Sequence, residues 1–436
     1  MKEMSTSSQG KAWIVSVDMG YGHQRAATPL AFLAPEGKII TANDYEGMPE
    51  FDKFIWGQTK SFYYFVSRLK SHGPIGRIAF NLYDKFQKIE EYYPLRRQNG
   101  STFALRRLFG QIRRGWGRHL IEKLAENPLP LLTPFFSIAF MAEEWKYPGK
   151  IYAIVTDSDI ARGWAPLEPA KTRIIYLAPT VRTKERLKKY GIPTGNIILT
   201  GFPLPMELIG ENEETVKHDF RQRLGRLDIR GDYTKQFAPL IESYLKEELF
   251  DKPVPRPPAL AFVVGGAGAQ IEIGVAVLKS LAPSVRAGKI LLHLVAGVSA
   301  DARDEFMRAA RELGLEEHLG KTFTVLFADT KDEYFEKFNG LLHSVDVLWT
   351  KPSELSFFGA FGIPIIIAPP IGSQEIQNRK WLLYTGAGLD QLSVQFTEQW
   401  FFDFLNEGKF AEAAMQGFIK MERKGTEHIA RLVARQ

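Results

Sequence analysis

Short apolar runs alternate with helix-like patterns along both halves of the chain. The runs in the first half are 13–17, 38–40, 151–155 and 173–176, and those in the second half are 259–264, 290–295, 322–327, 345–349 and 363–367. Strands that alternate with helical patterns form parallel sheets with helices on both faces. The pattern therefore predicts an α/β protein with two parallel-sheet domains.

These runs predict where the two domains lie. We expect a first Rossmann-like domain over residues 1–205, with a long aromatic helical insertion at about 51–132. The second Rossmann-like domain is expected over 206–436. Within it, the charged segment 206–258 would connect the two halves, and 397–435 would form two or three C-terminal helices. Because both halves open with a strand and a glycine turn, we expect the two domains to face each other.

The composition narrows the class of protein. The chain has 436 residues, of which 45% are hydrophobic, enough for substantial cores. It has no cysteine, which excludes disulfide frameworks, iron–sulfur clusters and thiol nucleophiles and fits a reducing compartment. No run reaches the roughly 20 apolar residues of a membrane-spanning helix, and the first residues do not resemble a signal peptide. We therefore expect a cytoplasmic protein that does not cross a membrane.

The net charge is a modest +6, but the positive charge is unevenly distributed. No acidic residue occurs between Glu91 and Glu122, a stretch in which seven arginines interleave with apolar and aromatic residues at roughly helical spacing. This pattern is typical of helices that bind anionic membrane surfaces. The residues expected to contact the membrane are Arg106, Arg107, Arg113, Arg114 and Trp116. The alternative is a solvated helix that packs its apolar face into the core, and nucleic acid is disfavoured because no nucleic-acid-binding module accompanies the patch.

The first apolar strand ends in a glycine turn that leads into a helix. Gly20, Tyr21 and Gly22 precede His23. Glycine lets the backbone approach a ligand closely, and the free amides of a first helical turn favour anionic or hydroxyl-bearing groups. An imidazole with the ordinary pKa near ~6.5 accepts a proton at neutral pH. His23 is therefore a candidate general base, and a structural turn with a histidine cap is the alternative.

The second half opens with the same order of strand, glycine turn and helix. Its glycines are Gly265, Gly266 and Gly268, in a turn suited to a diphosphate. The G-x-G-x-x-G pattern is incomplete, the next strand lacks the acidic residue that binds an NAD ribose, and no G-K-S/T sequence follows. The sequence therefore disfavours a nicotinamide enzyme and excludes a P-loop.

Two polar clusters follow later strands of the second half. The first consists of Thr350, Lys351, Ser353 and Glu354, and the second of Gln374, Glu375 and Asn378. The first would place a lysine and a helix N-terminus beside a phosphate, and the second offers amide and carboxylate groups to sugar hydroxyls. Open α/β sheets bind ligands at the carboxyl ends of their strands, so the two clusters together favour a ligand site. Ordinary loop and capping chemistry is the alternative for either cluster alone.

The ordered set of motifs resembles the GT-B glycosyltransferases that include monogalactosyldiacylglycerol synthases and the lipid-linked N-acetylglucosaminyltransferase of peptidoglycan assembly. The motifs are G-Y-G-H at 20–23, V-T-D at 155–157, T-G-F-P-L at 200–204, G-G-A-G at 265–268, T-K-P at 350–352 and Q-E-x-x-N at 374–378. Their order and spacing hold across nearly the entire chain.

The resemblance implies transfer of a hexose or N-acetylhexosamine from a UDP-sugar to a lipid or lipid-linked acceptor, with inversion and without a metal or other cofactor. The acceptor would bind the first domain, at Gly20, Tyr21 and Gly22, and His23 or Asp157 would act as, or help position, the general base. The donor-binding residues would be Gly265, Gly266, Gly268, Thr350, Lys351, Ser353, Glu354, Gln374, Glu375 and Asn378. The basic insertion would dock the lipid acceptor, which makes the protein peripherally membrane-associated.

Two departures from the family pattern bear on activity. The galactolipid branch has a histidine several residues after V-T-D, and none follows Asp157 here; family members also have a ribose-binding glutamate where this chain has Gly359. Glu354 is then the carboxylate expected to reach the ribose. One alternative function is a catalytically inactive nucleotide-sugar-binding or regulatory protein. Another is a metal-dependent enzyme in which the D-x-D residues Asp157 and Asp159 hold a divalent metal.

Overall fold

The computed structural model describes residues 11–69, 89–95, 98–245, 254–265, 268 and 270–435, with the backbone alone at 60 and 62–69. Its strands are β1 Trp13–Ser16, β2 Ile40–Thr41, β3 Leu131–Thr133, β4 Ile151–Ile154, β5 Ile175–Ala178, β6 Ile197–Leu199, β7 Ala259–Val263, β8 Leu291–Gly297, β9 Phe323–Phe327, β10 Val347–Thr350, β11 Ile365–Ile367 and β12 Gly388–Asp390.

The helices follow the strands in alternation. They are α1 Gly22–Ala27, α2 Glu50–Leu69, α3 Phe103–Arg113, α4 Arg118–Ala125, α5 Phe136–Glu144, α6 Val181–Lys189, α7 Glu214–Leu227, α8 Asp232–Gln236, α9 Ala238–Leu245, α10 Ile271–Arg286, α11 Ala300–Glu312, α12 Lys331–Leu342, α13 Ser373–Thr385, α14 Thr397–Asn406, α15 Lys409–Lys420 and α16 Gly425–Ala434. Short 3₁₀ segments join several of them, the longest being Glu354–Phe361. In the part of the chain described, none of the helices is both long and apolar enough to cross a bilayer.

The chain divides into two compact units. Unit 1 consists of Met1–Leu204, Gly372–Gln377 and Glu422–Gln436, and unit 2 of Pro205–Ile371 and Asn378–Met421. The division gives the last helix, α16, to unit 1, whereas the sequence placed the whole C-terminal tail with the second half. The reason is burial, because Ile429 and Val433 of α16 lie in the same core cluster as Ile14 and Leu30.

Each unit contains one six-stranded sheet in which every pairing is parallel. The strand order is β2-β1-β3-β4-β5-β6 in unit 1 and β12-β11-β10-β7-β8-β9 in unit 2. The middle strands are buried along their whole length, as the near-continuous apolar runs predicted. The topology confirms the predicted fold class of two Rossmann-like domains with parallel sheets, which is the domain content of a GT-B protein.

Several helices begin at a hydroxyl that caps their first turn. Thr102 Oγ1 accepts a hydrogen bond from the Leu105 amide at 3.2 Å at the start of α3, and Ser299 Oγ accepts one from Ala302 at 3.2 Å at the start of α11. Such a cap stabilises a helix by about 1 kcal/mol because it satisfies an amide that has no partner within the helix. These residues therefore fix where the two helices start.

The arginine-rich helices pack against unit 1 through their apolar faces. α3 and α4 bury Leu105, Phe109, Ile112 and Leu120 in the core of this unit. Their exposed side carries Arg106, Arg107, Arg113 and Arg114. The apolar face of the amphipathic pattern thus faces the core, as in the alternative stated above, while the charged face remains exposed.

The expectation that Trp116 contacts a membrane is wrong for this fold. Trp116 is only 3% exposed, and its ring centroid lies 4.8 Å from that of Trp56 in an edge-to-face contact. The residue follows α3 in the turn that leads to α4, where Gly117 has φ +78. A Cβ at Gly117 would lie 2.3 Å from Met141 Sδ, so the turn passes close against α5. This close approach draws Trp116 into the core.

Candidate functional site

His23 lies at the carboxyl edge of the unit 1 sheet. Gly20 has φ +74 in the turn that follows β1, and α1 begins at Gly22. The His23 Nδ1 atom is 2.9 Å from the carbonyl oxygen of Pro134, which follows the neighbouring strand β3. A carbonyl only accepts hydrogen bonds, so Nδ1 carries the proton in this contact. The Nε2 atom is then the unprotonated nitrogen of the imidazole.

The surroundings of His23 keep its ring neutral. The edge of the ring meets Phe135, with centroids 4.8 Å apart and planes at 87°. Part of the side chain remains accessible, but burial of the ring lowers the pKa of His23 to about 4. The hydrogen bond to the Pro134 carbonyl opposes this shift without cancelling it. At neutral pH the imidazole therefore offers an unprotonated Nε2, which is the form that a general base requires.

Asp157 follows β4, the strand next to β3. Its side chain is half-buried, and its carbonyl oxygen accepts a hydrogen bond from Thr183 Oγ1 at 3.1 Å. The glycine turn, Pro134 and Asp157 thus follow three adjacent strands, β1, β3 and β4. The predicted acceptor-binding glycine turn and the predicted catalytic residues His23 and Asp157 therefore lie at one edge of one sheet.

Asp159 is occupied by an ion pair. Its two carboxylate oxygens accept from Arg186 Nε and Nη2, each at 2.8 Å, and the side chains are 4% and 1% exposed. No group of three or more His, Asp or Glu side chains arranged to hold a metal occurs among the described residues. The D-x-D alternative therefore lacks its second ligand, because Asp159 neutralises a buried guanidinium instead.

The second glycine turn lies against Lys351. β7 and β10 are neighbours, and Gly265 follows the first while Lys351 follows the second. A Cβ on Gly265 would lie 2.7 Å from Lys351 Cε. The absence of a side chain at 265 lets the end of the lysine side chain pack directly on the glycine, so a cation lies against the turn.

The turn itself is tight and ends at helix starts. Gly268 has φ +69, and its amide donates to Gly265 O at 2.8 Å. A Cβ at Gly268 would lie 3.5 Å from the oxygen of Ser299, the N-cap of α11. Gln270, with φ +70, precedes α10 and donates through Nε2 to Pro369 O at 2.7 Å. Helix N-termini and a lysine at one turn favour an anion. The predicted donor residue Gly266 lies outside the described residues.

Asn378 supports the T-K-P turn. The side chain is fully buried, and its Nδ2 donates to Pro352 O at 3.1 Å. The contact fixes the backbone directly after Lys351. This hydrogen bond positions the lysine turn, and the predicted contact of Asn378 with the donor stays a prediction.

The other predicted donor residues lie on two elements. Thr350 ends β10 and is 2% exposed, and Ser353 directly precedes the 3₁₀ segment that Glu354 begins. Glu354 is 9% exposed. Gln374 and Glu375 are half-buried near the start of α13, in the part of that helix that belongs to unit 1.

Gly359 stands where the resemblance implies a ribose-binding glutamate, and its surroundings are closely packed. A Cβ on Gly359 would lie 2.8 Å from Met421 Sδ and 3.3 Å from Ala387 Cβ. From the other side, a Cβ on Gly417 of α15 would lie 2.4 Å from Gly359 O. The backbone of this 3₁₀ segment thus packs directly on α15. A side chain at Gly359 would therefore require the end of the Met421 side chain to move.

A second buried histidine lies in the unit 2 sheet. His293 on β8 shares a 2.7 Å hydrogen bond between Nδ1 and Thr324 Oγ1 on β9. Burial, reinforced by the positive charge of Arg256, lowers the pKa of His293 to about 4. Its Nε2 is buried and has no hydrogen-bond partner among the described residues. A proton added there would enter the sheet without an acceptor.

We expect acid to destabilise unit 2 through His293. Between pH ~6.5 and the folded pKa of about 4, the unfolded chain binds a proton that the folded chain does not, so stability falls as the pH is lowered through this window. At about 1.4 kcal/mol per pKa unit, the loss is on the order of 3 kcal/mol. Urea unfolding of wild type and His293→Gln at neutral and acidic pH measures it. The variant should lose much less stability on acidification, and an unchanged pH dependence would contradict the assignment.

Two contacts at this site had no sequence signal. The hydrogen-bond partner of His23 is a backbone carbonyl 111 residues away in the sequence. The contact of Lys351 with Gly265 joins residues that follow two different strands. Ser299 had a recognisable signal, since a serine directly after a strand and before a helical pattern is a common N-cap. The prediction did not use that signal.

No family model matches the sequence, and no curated protein matches it. Among solved structures, MurG of Acinetobacter baumannii is similar at 12% identity and TM-score 0.47, covering 98% of this chain and 100% of its own. MnaA of S. aureus with UDP is similar at 10% identity and TM-score 0.47, with coverages of 97% and 95%. The UDP-GlcNAc 2-epimerase of Neisseria meningitidis bound to UDP-GlcNAc is similar at 12% identity and TM-score 0.45, with coverages of 80% and 86%. At these levels of similarity, activity has to be argued from the residues of this chain.

Proposed function

We propose that this protein is a metal-independent glycosyltransferase that moves a hexose or N-acetylhexosamine from a UDP-sugar to a hydroxyl of a lipid or lipid-linked acceptor, with inversion. The observation that carries the proposal is the state of His23. It is a neutral imidazole at the carboxyl edge of a parallel sheet, with Nδ1 committed to Pro134 O and Nε2 unprotonated. The glycine turn of unit 2, against which Lys351 lies, would bind the diphosphate of the donor.

The donor would bind unit 2 through its diphosphate. Gly265 and Gly268 would offer their backbone amides, and the side chain of Lys351 places a cation against Gly265. Thr350 and Ser353 flank the lysine, and Glu354 would hold the ribose because residue 359 is a glycine and offers no carboxylate. Gln374 and Glu375 would bind the hydroxyls of the sugar, with Asn378 holding the lysine turn in place.

The chemical step would be a single displacement. His23 Nε2 takes the proton of the acceptor hydroxyl while its oxygen bonds to the anomeric carbon. The bond from that carbon to the diphosphate oxygen breaks, and UDP leaves with the electron pair. Attack opposite the leaving group inverts the anomeric centre. A base with a pKa of about 4 accepts the proton once the hydroxyl has become more acidic through bond formation. Asp157 would help position His23 or the acceptor, and Lys351 would neutralise the charge on UDP.

The proposal also places the protein at the cytoplasmic surface of a membrane. Arg106, Arg107, Arg113 and Arg114 are exposed on one side of α3 and the turn that follows it, with the other side packed into the core. Arg113 already pairs with Glu144 at 2.8 Å, so the remaining arginines carry most of the uncompensated charge of this face. Arginines near an anionic surface each contribute about 1 kcal/mol to binding. They would hold the enzyme near its lipid acceptor.

A second candidate function rests on Gly359. Because residue 359 is a glycine, the carboxylate with which members of the resembling family bind the ribose is absent here. A protein that binds UDP-sugars without transfer, as a regulatory component, fits this observation. It shares the donor site with the transferase and differs in turnover.

Titration of donor-site variants tests the assignment. Gln374→Ala and Glu375→Ala should each weaken binding of the complete UDP-sugar by about 1–3 kcal/mol, because a buried polar group loses its partner, yet barely affect UDP alone. Glu354→Ala should weaken both ligands, since it would remove the ribose contact. Glu316→Ala, which removes an exposed carboxylate elsewhere in unit 2, is the matched control. Calorimetry gives all the affinities.

The outcomes separate the parts of the proposal. If wild type does not bind UDP, the donor site is abandoned together with both candidate functions. If Glu354→Ala binds UDP as wild type does, the ribose contact belongs to another group. If Gln374→Ala and Glu375→Ala leave UDP-sugar affinity unchanged, the two residues do not bind the sugar.

A further inference from the structure

A series of aromatic contacts in unit 1 leads from α2 to His23. The ring centroid of Phe135 lies 4.8 Å from that of His23, with the two planes at 87°, and 6.1 Å from that of Trp56 on α2. Trp56 also contacts Trp116, which lies in the turn between α3 and α4. Phe135 therefore joins the candidate general base to the helices of the insertion.

The His23 ring needs a second restraint besides its hydrogen bond. The bond to Pro134 O restrains one atom of the ring, Nδ1. Because the last torsion of a histidine side chain has a broad energy minimum, this contact alone leaves the plane of the ring free to tilt. A perpendicular ring at 4.8 Å limits that tilt, and perpendicular packing is a favoured geometry of aromatic pairs. Phe135 thus completes the restraint that Pro134 O begins.

Phe135 is itself held in place at the start of α5. Its amide donates a hydrogen bond to Thr133 Oγ1 at 3.2 Å, which fixes the backbone where β3 ends. Its ring stacks on that of Phe136, with centroids 5.4 Å apart and planes at 20°. The ring of Phe135 is therefore restrained by its own backbone and by its neighbour in the sequence.

Trp56 supports the same ring from α2. Asp52 lies one helical turn before Trp56, on the same face of the helix. Its Oδ1 accepts a hydrogen bond from the Gly117 amide at 3.3 Å, and Trp56 packs on Trp116 at 4.8 Å. One polar and one apolar contact thus tie this face of α2 to the turn between α3 and α4. They fix Trp56, which is 3% exposed, beside Phe135.

We propose that Phe135 is a positioning residue for sugar transfer: its ring, supported by Trp56 and Phe136, holds the plane of the His23 imidazole so that Nε2 keeps one orientation. The inference rests on the proposed function, because it takes His23 as the general base. It adds a role for α2, whose Trp56 supports the base through Phe135. The same packing keeps water from part of the imidazole, in agreement with the burial that lowers the pKa of His23 to about 4.

Histidine NMR spectra of the full-length protein test the restraint without any substrate. The chain has eight histidines, and the signal of His23 is the one lost in His23→Gln. In wild type this signal should show the tautomer with the proton on Nδ1 and should titrate at a pH of about 4. In Phe135→Ala both tautomers should appear, and the midpoint should rise by about one pH unit or more because water reaches the ring.

A conservative variant separates orientation from exclusion of water. Phe135→Leu keeps an apolar side chain beside His23 but removes the flat ring. The His23 midpoint should therefore stay close to that of wild type, while kcat falls by about 10- to 100-fold because the base is misaligned. The KM for the acceptor and the affinity for UDP should change little. Initial-rate kinetics and UDP titration measure these quantities.

A double variant tests whether Trp56 acts through Phe135. Trp56→Leu should lower kcat in the wild-type background and add little to the loss in Phe135→Leu, because two substitutions that disturb one contact are not additive. Phe109→Leu is the matched control. It removes a 5% exposed ring from the core of unit 1, where Phe109 packs on Phe140. This variant should leave the tautomer and the midpoint of His23 unchanged, and circular dichroism checks that every variant is folded.

Two results would overturn the proposal. One is a folded Phe135→Ala protein whose His23 has the tautomer and the midpoint of wild type, because Phe135 then does not hold the ring. The other is a folded Phe135→Leu protein with wild-type kcat, because the orientation that the ring provides is then not needed. Absence of turnover by wild type with every acceptor would instead refute the proposed function. The histidine spectra would still decide whether Phe135 holds the His23 ring.

Discussion

Replacing His23 with alanine is expected to lower turnover by roughly 10²- to 10⁴-fold, the usual contribution of a positioned general base. Donor affinity should change little, because the proposal assigns His23 to the acceptor hydroxyl and gives it no contact with the donor. The physical reason is the fixed tautomer: Pro134 O holds the Nδ1 proton, and Nε2 is left to accept the acceptor's proton. Initial-rate kinetics with the labelled UDP-sugar, alongside UDP titration, measure both effects.

A second histidine provides a matched control. His428 on α16, also in unit 1, has Nδ1 2.8 Å from the Thr200 carbonyl oxygen. His428→Ala therefore removes an imidazole with the same kind of hydrogen bond, and it should retain turnover in the fraction that is folded. If His23→Ala turns over like wild type, or loses activity only in proportion to unfolding, the role assigned to His23 is wrong.

The pH profile gives an independent check on His23. An ordinary histidine would lose its capacity as a base as the pH falls through ~6.5. Burial lowers the pKa of His23 to about 4, so this limb of kcat/KM should be displaced to about that pH. Turnover that halves near pH ~6.5 and follows one proton would contradict the buried, neutral imidazole.

Replacing Asp159 with alanine should destabilise unit 1 by about 3–5 kcal/mol, because removal of one partner leaves a buried charge uncompensated. The uncompensated charge would be that of Arg186, which is 1% exposed and donates hydrogen bonds to both carboxylate oxygens of Asp159. Denaturant unfolding measures the loss. A double variant, Asp159→Leu with Arg186→Met, should recover much of it, since replacing both ions by apolar groups is often neutral.

The same variants decide between a structural and a metal-binding D-x-D. In our account, added chelator does not reduce wild-type turnover, and Asp159→Ala loses activity only through lost folding. Two results together would contradict the structural role of Asp159. Asp159→Ala would have wild-type stability, and chelator would abolish a turnover that a divalent metal restores.

Periodicity identified the strands of both sheets where turns bound the apolar runs. Periodicity missed β3, because the apolar run 129–142 contains both this strand and most of α5. Only Pro134 marks the boundary between the strand and the helix within that run. Periodicity also missed β6 and β12, three-residue strands at sheet edges. Strands this short have too few positions for alternation to be visible.

The sequence predicts the residues of the candidate site, and their roles stay predictions. An amphipathic pattern states that one face of a helix avoids water, but a protein core and a bilayer satisfy it equally, so Trp116 was assigned to the wrong environment. The Q-E-x-x-N spacing singled out Asn378 as a donor-binding residue, and in the structure its side-chain amide donates a hydrogen bond to Pro352 O. The sequence shows a glycine at position 359. Its packing against Met421 is a tertiary contact, which no sequence pattern reveals.

We propose that this protein transfers a sugar from a UDP-sugar to a lipid hydroxyl. A transfer assay tests this activity. The full-length protein is incubated with radiolabelled UDP-sugars and with lipid acceptors in vesicles, and the labelled glycolipid and the released UDP are then quantified. Our account predicts that for one donor the two products form in equal amounts, depend on the acceptor, and fall together in His23→Ala. Binding of UDP-sugars without labelled glycolipid from any acceptor, or conversion of the UDP-sugar without transfer, would contradict it.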